Sequence, residues 1–262
     1  MTTPTSPLVF ITGASSGIGQ ALAARYAHEG WRLALVARRT DLIEAWAGNL
    51  GLDPGIWRAY QADVADIDAI VAAGRAATLA QGLPDVVIAN AGMSIGIDTA
   101  YREDLDRMAQ TFATNNVGLA ATFHPFIEPM RGRGRGTLVG IASVAGIRGL
   151  AGHGAYCASK AAVISYCESL RAELRGTGVR VVTISPGYVA TPLTARNPFP
   201  MPFLMQPEDF ARRALHAIAS GARHRVIPWP MALVAAVLRV LPGAWLERAL
   251  SGQPRKRRQD SE

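Results

Sequence analysis

Short runs of β-branched and apolar residues alternate with longer segments of helical period along most of this 262-residue chain. Predicted strands cover residues 8–12, 32–37, 56–61, 86–89, 137–143, 179–185 and, more weakly, 225–227. Predicted helices cover residues 17–28, 41–50, 66–81, 103–130 (in two pieces), 156–175 and 207–219. This alternation implies parallel strands joined by crossover helices, with both faces of the sheet covered. The sequence therefore predicts a single doubly wound α/β domain with a parallel sheet of about seven strands.

The chain changes character near its C-terminal end. Residues 1–228 form the predicted domain, and residues 229–262 form an apolar extension interrupted by Pro230 and Pro242. A membrane-spanning helix needs about 20 apolar residues, roughly twice what residues 230–241 supply. We therefore expect two short amphipathic helices that cap the domain, extend a subunit contact or lie on a membrane surface. The third alternative, a position on a membrane surface, is supported by Trp229, Trp245 and the basic run 255–258.

Composition narrows the class of protein further. Hydrophobic residues make up 49% of the chain, which is ample for a buried core. The N-terminal residues lack the pattern of a signal peptide, and Cys157 and Cys167 lie about 15 Å apart along one predicted helix, too far for a disulfide. We expect a cytoplasmic protein with reduced thiols. The net charge of +7 comes mostly from dispersed arginines, without a nucleic-acid recognition motif, so nucleic-acid binding is disfavoured.

A glycine-rich loop, "TGASSGIG" at residues 12–19, follows the first predicted strand and leads into the first helix. Glycines there let the backbone turn tightly and approach a pyrophosphate, and free N–H groups at the helix start attract the anion. A tight strand-to-helix turn alone would also use glycine. The position of the loop between the first strand and the first helix favours a dinucleotide site.

The second predicted strand runs directly into Arg38 and Arg39, and the first acidic residue after it is Asp41. In such folds an acidic side chain at this point binds the ribose hydroxyls of NAD, whereas arginine can pair with the 2′-phosphate of NADP. The sequence therefore favours NADP(H) over NAD(H). The alternative is that these are solvated arginines in an arginine-rich chain.

At this point the chain resembles the short-chain dehydrogenase/reductase family, in the oxidoreductase branch whose chains are about as long as this one. The loop 12–19 matches the glycine spacing of that branch, and "ANAG" at 89–92 resembles its Asn-Asn-Ala-Gly segment, with alanine in place of the first asparagine. Three further matches follow in the family's order: "TNNVG" at 114–118, a serine thirteen residues before "YCASK" at 156–160, and "SPGYVATP" at 185–192. The resemblance runs from about residue 8 to 227. It implies a Rossmann fold and a nicotinamide-dependent oxidoreductase.

The resemblance also implies a role for each matching residue. The catalytic residues correspond here to Asn115, Ser143, Tyr156 and Lys160, with Ser143 at the end of the fifth strand. The implied cofactor-binding residues are Gly13, Ser15, Ser16, Gly17, Ile18, Gly19, Arg38, Arg39, Asp63, Val64, Asn90, Ala91, Gly92, Tyr156, Lys160, Pro186, Gly187, Val189 and Thr191. In the family's pattern Asp63 contacts the adenine, while Val189 and Thr191 contact the nicotinamide carboxamide. No residue is predicted to bind a metal ion.

Tyrosine and lysine suit this chemistry for independent reasons. Hydride transfer to a carbonyl carbon leaves an alkoxide, so the site needs a proton donor beside the oxygen. Tyr156 and Lys160 are four residues apart on one helical face, and an ammonium group lowers the pKa of a nearby phenol. The chain contains only two lysines, Lys160 and Lys256, so lysine at this position stands out. Each residue alone also has an ordinary structural explanation, and a non-catalytic regulator or scaffold on the same fold stays an alternative.

Three segments are expected to form the substrate pocket: residues 93–99, 147–153 and 193–206. The last, "LTARNPFPMPFLMQ", is long and apolar, as lids over ligands often are. This favours a hydrophobic carbonyl or alcohol substrate, such as a ketone, a 3-oxoacyl compound or a lipid-like molecule. The alternative is that these side chains only pack the segment onto the domain. Members of the family are commonly homodimers or homotetramers, so we expect an oligomer.

Overall fold

The computed structural model describes residues 6–195, 197, 200–250 and 258, with the backbone alone at 246, 249 and 250. The strands within these residues are β1 (Leu8–Thr12), β2 (Arg32–Ala37), β3 (Trp57–Gln61), β4 (Val86–Ala89), β5 (Gly136–Ile141), β6 (Val179–Pro186) and β7 (His224–Ile227). They form one parallel sheet in the order β3-β2-β1-β4-β5-β6-β7. The predicted doubly wound α/β fold is confirmed.

Helices lie between the strands and after the last of them. They are α1 (Gly17–His28), α2 (Asp41–Asn49), α3 (Ile67–Gln81), α4 (Arg102–Phe112), α5 (Gly118–Arg133), α6 (Gly154–Glu173), α7 (Pro207–Ala219), α8 (Trp229–Val240) and α9 (Gly243–Leu250). The predicted division of residues 103–130 into two pieces is correct, and a π-helical turn, Ala113–Val117, joins the pieces. The two helices expected in the C-terminal extension are α8 and α9.

The core lies on both faces of the sheet, which explains why the strands are continuous apolar runs. On one face Val9 and Ile11 of β1 pack with residues of α1 and α7. On the other face Phe10 packs with residues of α3 and α5, and its ring centroid lies 4.9 Å from that of Phe126. Packing on the two faces therefore fixes α1 and α7 to one side of the sheet and α3 and α5 to the other.

The end of β5 differs from the prediction. The strand ends at Ile141, so the expectation that Ser143 ends the fifth strand is wrong. The chain turns there into a short 3₁₀ turn, Val144–Gly146, and the Ser143 hydroxyl accepts a 3.1 Å hydrogen bond from the N–H of Ala145. Ser143 therefore caps a turn instead of pairing in the sheet.

Helix α8 packs against the domain with one face only. Met231 and Ala235 are buried, and a Cβ added to Gly187 would lie 2.9 Å from Cγ of Met231. Leu233, Val237 and Val240 are exposed. Among the described residues, no helix is both long enough and apolar enough to cross a bilayer.

The sheet order places β1 next to β4, with β2 and β3 on one side and β5, β6 and β7 on the other. Successive strands are therefore added in one direction from β1 to β3 and in the opposite direction from β4 onward, with the switch between β1 and β4. In open α/β sheets, ligands bind in the crevice outside the carboxyl ends of the strands at such a point.

Candidate active site

One cleft of about 490 Å³ lies at this crevice. It is lined by every residue predicted for the cofactor or for catalysis except Gly19 and Asn115, which lie behind its wall. The lining also includes Val36, Ala37, Ala62, Met93, Thr114, Ile141, Ala142, Pro192, Leu193 and Thr194. Segments far apart in the sequence therefore meet around one cavity.

The glycine loop is shaped by close backbone approach. Gly13 and Gly17 have φ of 67° and 57°, in the left-handed region that favours glycine. A Cβ on Gly19 would lie 2.2 Å from the carbonyl oxygen of Gly13, which leaves no room for a side chain. Helix α1 starts at Gly17 without a side-chain cap and without an acidic residue in its first turn. Its N-terminal N–H groups are therefore available to an anion such as a pyrophosphate.

Thr12 and Asn90 join the glycine loop to the loop after β4. The Asn90 side-chain amide donates to the carbonyl oxygens of Thr12 and Gly13, at 3.0 and 3.3 Å. The Thr12 hydroxyl accepts from the N–H groups of Asn90 and Ala91, at 3.1 and 3.2 Å. The two loops are held together before any ligand binds. Thr12 was missed as a site residue, although a lone threonine at the end of an apolar strand was a visible signal.

The two arginines after β2 lie at the end of the cleft nearest Asp63. Nη1 of Arg38 lies 3.7 Å from Oδ2 of Asp63, and the Arg38 side chain is largely exposed while that of Asp63 is half-buried. The other carboxylate oxygen of Asp63 accepts a 3.0 Å hydrogen bond from the N–H of Ala65. Arg39 lines the same end of the cleft. This end of the cavity therefore carries more positive than negative charge.

Tyr156, Ser143 and Lys160 lie together on one wall of the cleft. Burial raises the pKa of Tyr156 to about 12, and a hydrogen bond with Ser143 acts in the opposite direction. Lys160 is 5% exposed, and burial lowers the pKa of its ammonium to about 8. Its Nζ lies 5.8 Å from the centroid of the Tyr156 ring. The expected helical-face relationship between Tyr156 and Lys160 is present.

Asn115 lies behind this wall, in the π-helical turn between α4 and α5. Its Oδ1 accepts from the N–H of Met93 at 2.8 Å, and its Nδ2 donates to the Met93 oxygen and the Ser159 hydroxyl, at 3.0 and 2.9 Å. A Cβ on Gly92 would come within 3.2 Å of Asn115 and 3.4 Å of Nζ of Lys160. Gly92 therefore lets the asparagine and the lysine approach each other. Ser159 was not predicted, because a serine inside a helix carries no distinctive signal.

The segment after β6 closes the cleft on its third side. The N–H of Gly187 donates to the Ile227 oxygen at 2.7 Å. The methyl group of Thr191 lies 3.1 Å from the position that a Cβ on Gly17 would occupy. Met205 pairs with Val189 in a short parallel bridge, which returns the 193–206 segment to the cleft. Residues 196, 198 and 199 of that segment lie outside the described residues.

A family model described as short chain dehydrogenase matches residues 7–199 of the chain. The chain belongs to the short-chain dehydrogenase family. An uncharacterized oxidoreductase of Myxococcus xanthus is 41% identical over 244 residues, covering 91% of this chain and 94% of the relative. A D-threitol dehydrogenase of Mycolicibacterium smegmatis is 38% identical over 186 residues, covering 71% of each.

The fold is likewise that of a solved member of the family. A short-chain dehydrogenase from Streptomyces avermitilis superposes with a TM-score of 0.75 at 22% identity, covering 93% of this chain and 94% of that one. The chain is therefore an oxidoreductase of the short-chain dehydrogenase family, a fold that binds a nicotinamide cofactor.

Proposed function

We propose that this short-chain dehydrogenase interconverts a carbonyl and an alcohol with NADP(H), using Tyr156 as its acid and base. The observation that carries the proposal is that Ser143, Tyr156 and Lys160 share one cleft with the glycine loop. A proton donor, a cation and an anion-binding helix start are thus within reach of one extended ligand. A scaffold protein would have no chemical use for all three.

The residues present fit a dinucleotide phosphate. The first turn of α1 and the side-chain-free backbone at Gly13 and Gly19 suit the pyrophosphate, and Arg38 and Arg39 suit a 2′-phosphate. Asp63 and Val64 would border the adenine, and Asn90, Ala91, Gly92, Pro186, Gly187, Val189 and Thr191 would border the remaining groups. When bound, the cofactor supplies or accepts the hydride.

The chain's own groups handle the proton and the orientation of the substrate. Tyr156 holds a proton at its phenol oxygen, because its pKa of about 12 keeps it protonated at neutral pH. Ser143 would donate its hydroxyl hydrogen to the substrate oxygen beside that phenol. Lys160 is still mostly charged at neutral pH and stabilises the phenolate that forms when Tyr156 gives up its proton. Asn115 would bind a water that links Lys160 to solvent protons.

We propose a hydrophobic substrate. Met93 and Leu193 line the cleft, and Phe203 and Leu204 lie exposed on the 193–206 segment, where an apolar ligand could cover them. The D-threitol dehydrogenase relative is named for a polyol, so polar substrates belong in the same screen. Turnover of hydrophobic substrates or of polar ones in this screen would assign the substrate class.

Residues 1–228 remain the proposed catalytic domain, with residues 229–262 as its extension. We also keep the proposals of a homodimer or homotetramer and of a cytoplasmic location at the membrane periphery. An apolar surface supports the membrane contact, because Leu233, Val237 and Val240 are exposed on α8. The nearby cavity at Trp229 is lined by Arg25, Arg212, Arg213 and Arg225, which would complement anionic lipid.

The test compares thermal stabilisation by NADPH and NADH, followed by NADPH oxidation with aldehydes, ketones, 3-oxoacyl thioesters and polyol-derived ketoses. We expect greater stabilisation by NADPH and turnover that Tyr156→Phe abolishes. Equal stabilisation by the two cofactors would contradict the NADP preference. Turnover by Tyr156→Phe equal to that of the native chain would contradict the enzymatic role.

A further inference from the structure

Arg258, in the basic run near the C-terminus, contacts the α4 end of the domain. Its Nε lies 2.7 Å from Oδ2 of Asp104, and its Nη2 lies 2.9 Å from Oε1 of Glu103. Its Cζ lies 3.6 Å from the centroid of the Tyr101 ring. A planar guanidinium that both pairs with carboxylates and stacks on a ring makes a specific contact, beyond general charge attraction.

The carboxylate at the centre of this contact is completely buried. Asp104 also accepts from the N–H of Asp98 at 2.7 Å and from the Arg107 guanidinium at 2.5 Å. The hydrogen bond from Arg258 is the main reason that the pKa of Asp104 is held down, at about 2. A buried charge requires such partners. Without Arg258, the N–H of Asp98 and the Arg107 guanidinium would have to stabilise the Asp104 carboxylate.

The contact lies at one end of residues 93–101, which we call the 93–101 loop and which contain the predicted substrate segment 93–99. Asn115 holds the loop at Met93, and the N–H of Ile97 donates to the Gly152 oxygen at 3.2 Å. Arg258 pairs with Gly96 in an isolated parallel bridge. The loop is therefore fixed to the catalytic wall at its start, to the 147–153 segment in its middle and to the C-terminal tail beside that point.

The extension touches the 147–153 segment as well. The Arg148 guanidinium donates to the main-chain oxygen of Leu241, at the end of α8. Two of the three predicted substrate segments are thus contacted by residues beyond 228, although these residues follow the family's matched region. If the extension lies on a membrane, the run 255–258 is expected to form a basic patch for lipid. Residues 255–257 lie outside the described residues, and Arg258 is engaged within the chain.

We propose that Arg258 is a positioning residue, which holds the 93–101 loop against Gly152 and so shapes the substrate side of the cleft. The proposal rests on the proposed function for its kinetic consequence alone. Arg258 contacts none of the residues predicted for the cofactor. Its loss should therefore weaken substrate binding and leave NADPH binding unchanged.

The experiment compares Arg258→Gln and Arg258→Lys with the control Arg257→Gln, which removes the same charge one position earlier. Amide hydrogen exchange at Ile97 and Asp98, measured without substrate, should become about tenfold faster in Arg258→Gln, because charged hydrogen bonds are lost. Arg258→Lys should restore little, since lysine lacks the fork, and Arg257→Gln should match the native chain. In Arg258→Gln the KM for substrate should rise, while kcat and the Kd for NADPH should stay unchanged.

Unchanged exchange in Arg258→Gln, or equal acceleration in Arg257→Gln, would overturn the proposal. Faster exchange with an unchanged KM would overturn the positioning role. Because exchange needs no substrate, an absence of turnover in every variant would count against the proposed function alone. The exchange result would then still decide whether Arg258 holds the loop.

Discussion

The ammonium group of Lys160 donates a 2.8 Å hydrogen bond to the main-chain oxygen of Ile141, the last residue of β5. Ser143 follows two residues later, at the start of the turn that packs against α6. The lysine and the serine are therefore positioned by the same strand end. A backbone carbonyl in a sheet moves little, so the distance between the two functional groups is set by the core.

Lys160→Arg should lose activity by about a hundredfold or more, although the charge is kept. The guanidinium is broad and planar, and a misplacement of about 1 Å can cost that much in a catalytic site. The measurement is kcat/KM with NADPH and a substrate from the screen. Lys256→Arg, the same change at the only other lysine, should retain native turnover. Near-native activity of Lys160→Arg would mean that the site has been misread.

Replacing both Arg38 and Arg39 by Gln should reduce NADPH affinity by about tenfold to a hundredfold, because a 2′-phosphate loses its charged partners. NADH affinity should change little. Titration of cofactor fluorescence gives both constants. Arg75→Gln, an exposed arginine on α3 outside the cleft, is the control and should leave both unchanged. A parallel loss of NADH affinity would show that the arginines do not select the phosphate.

Gly19→Ala should destabilise the chain by about 1–3 kcal/mol and weaken dinucleotide binding, since its Cβ would collide with the Gly13 carbonyl. Gly48→Ala is the matched control, because Gly48 also lies in a helix and has nothing within 4 Å of a Cβ. Replacement there should be neutral or stabilise by up to about 1 kcal/mol. Chemical denaturation with and without NADPH measures both effects. Equal behaviour of the two variants would refute the close-approach argument.

The buried lysine makes stability depend on pH. Folding lowers the pKa of Lys160 from 10.5 to about 8, so between these values the unfolded chain binds more protons. The resulting penalty is full below pH 8 and disappears as the pH rises through 10.5. Lys160→Met should therefore be favoured over the native chain by about 3 kcal/mol more at pH 7 than above this window.

Comparing the variant with the native chain reduces the opposing contributions of Tyr156 and Cys167, whose pKa values are raised by burial. The free energy of unfolding, measured by denaturant at each pH, is the observable. Lys256→Met should show no such dependence. A flat difference between Lys160→Met and the native chain would contradict a depressed lysine pKa.

The exposed face of α8 should bind anionic membranes. Leu233 and Val237 are 60% and 58% exposed and lie one helical turn apart, so replacing both by Gln removes apolar surface without touching the core. Native protein should co-sediment with phosphatidylglycerol vesicles, and the double variant should not. Leu79→Gln on α3 is the control, because Leu79 is 91% exposed on another helix.

If native protein stays in the supernatant, the membrane interpretation is wrong. Size-exclusion chromatography of the same variants would then test the competing interpretation. A subunit contact on α8 predicts that the double variant becomes smaller while Leu79→Gln does not.

Local patterns in the sequence were enough for the sheet, and the motifs shared with the family were enough for most of the lining of the cleft. Glycine spacing, Asn90, Ser143 and Tyr156 each depend on a turn or a helix face that neighbouring residues determine. The bond from Lys160 to Ile141 could not be predicted, because an acceptor oxygen of the main chain has no side-chain signature. The contact of Arg258 with Asp104 spans 154 residues, and one arginine of a basic run looks like any other.

The π-helical turn at Ala113–Val117 sets a limit on how this chain can change. Removing one residue there would give a regular helix through α4 and α5, which is better for local hydrogen bonding, but would rotate α5 against α4 by about 100°. Either Phe126 would leave the core or Asn115 would leave Met93. An insertion or deletion in this stretch would thus disrupt either the packed core or the site. Relatives with the same site should therefore differ here by substitution and keep the number of residues.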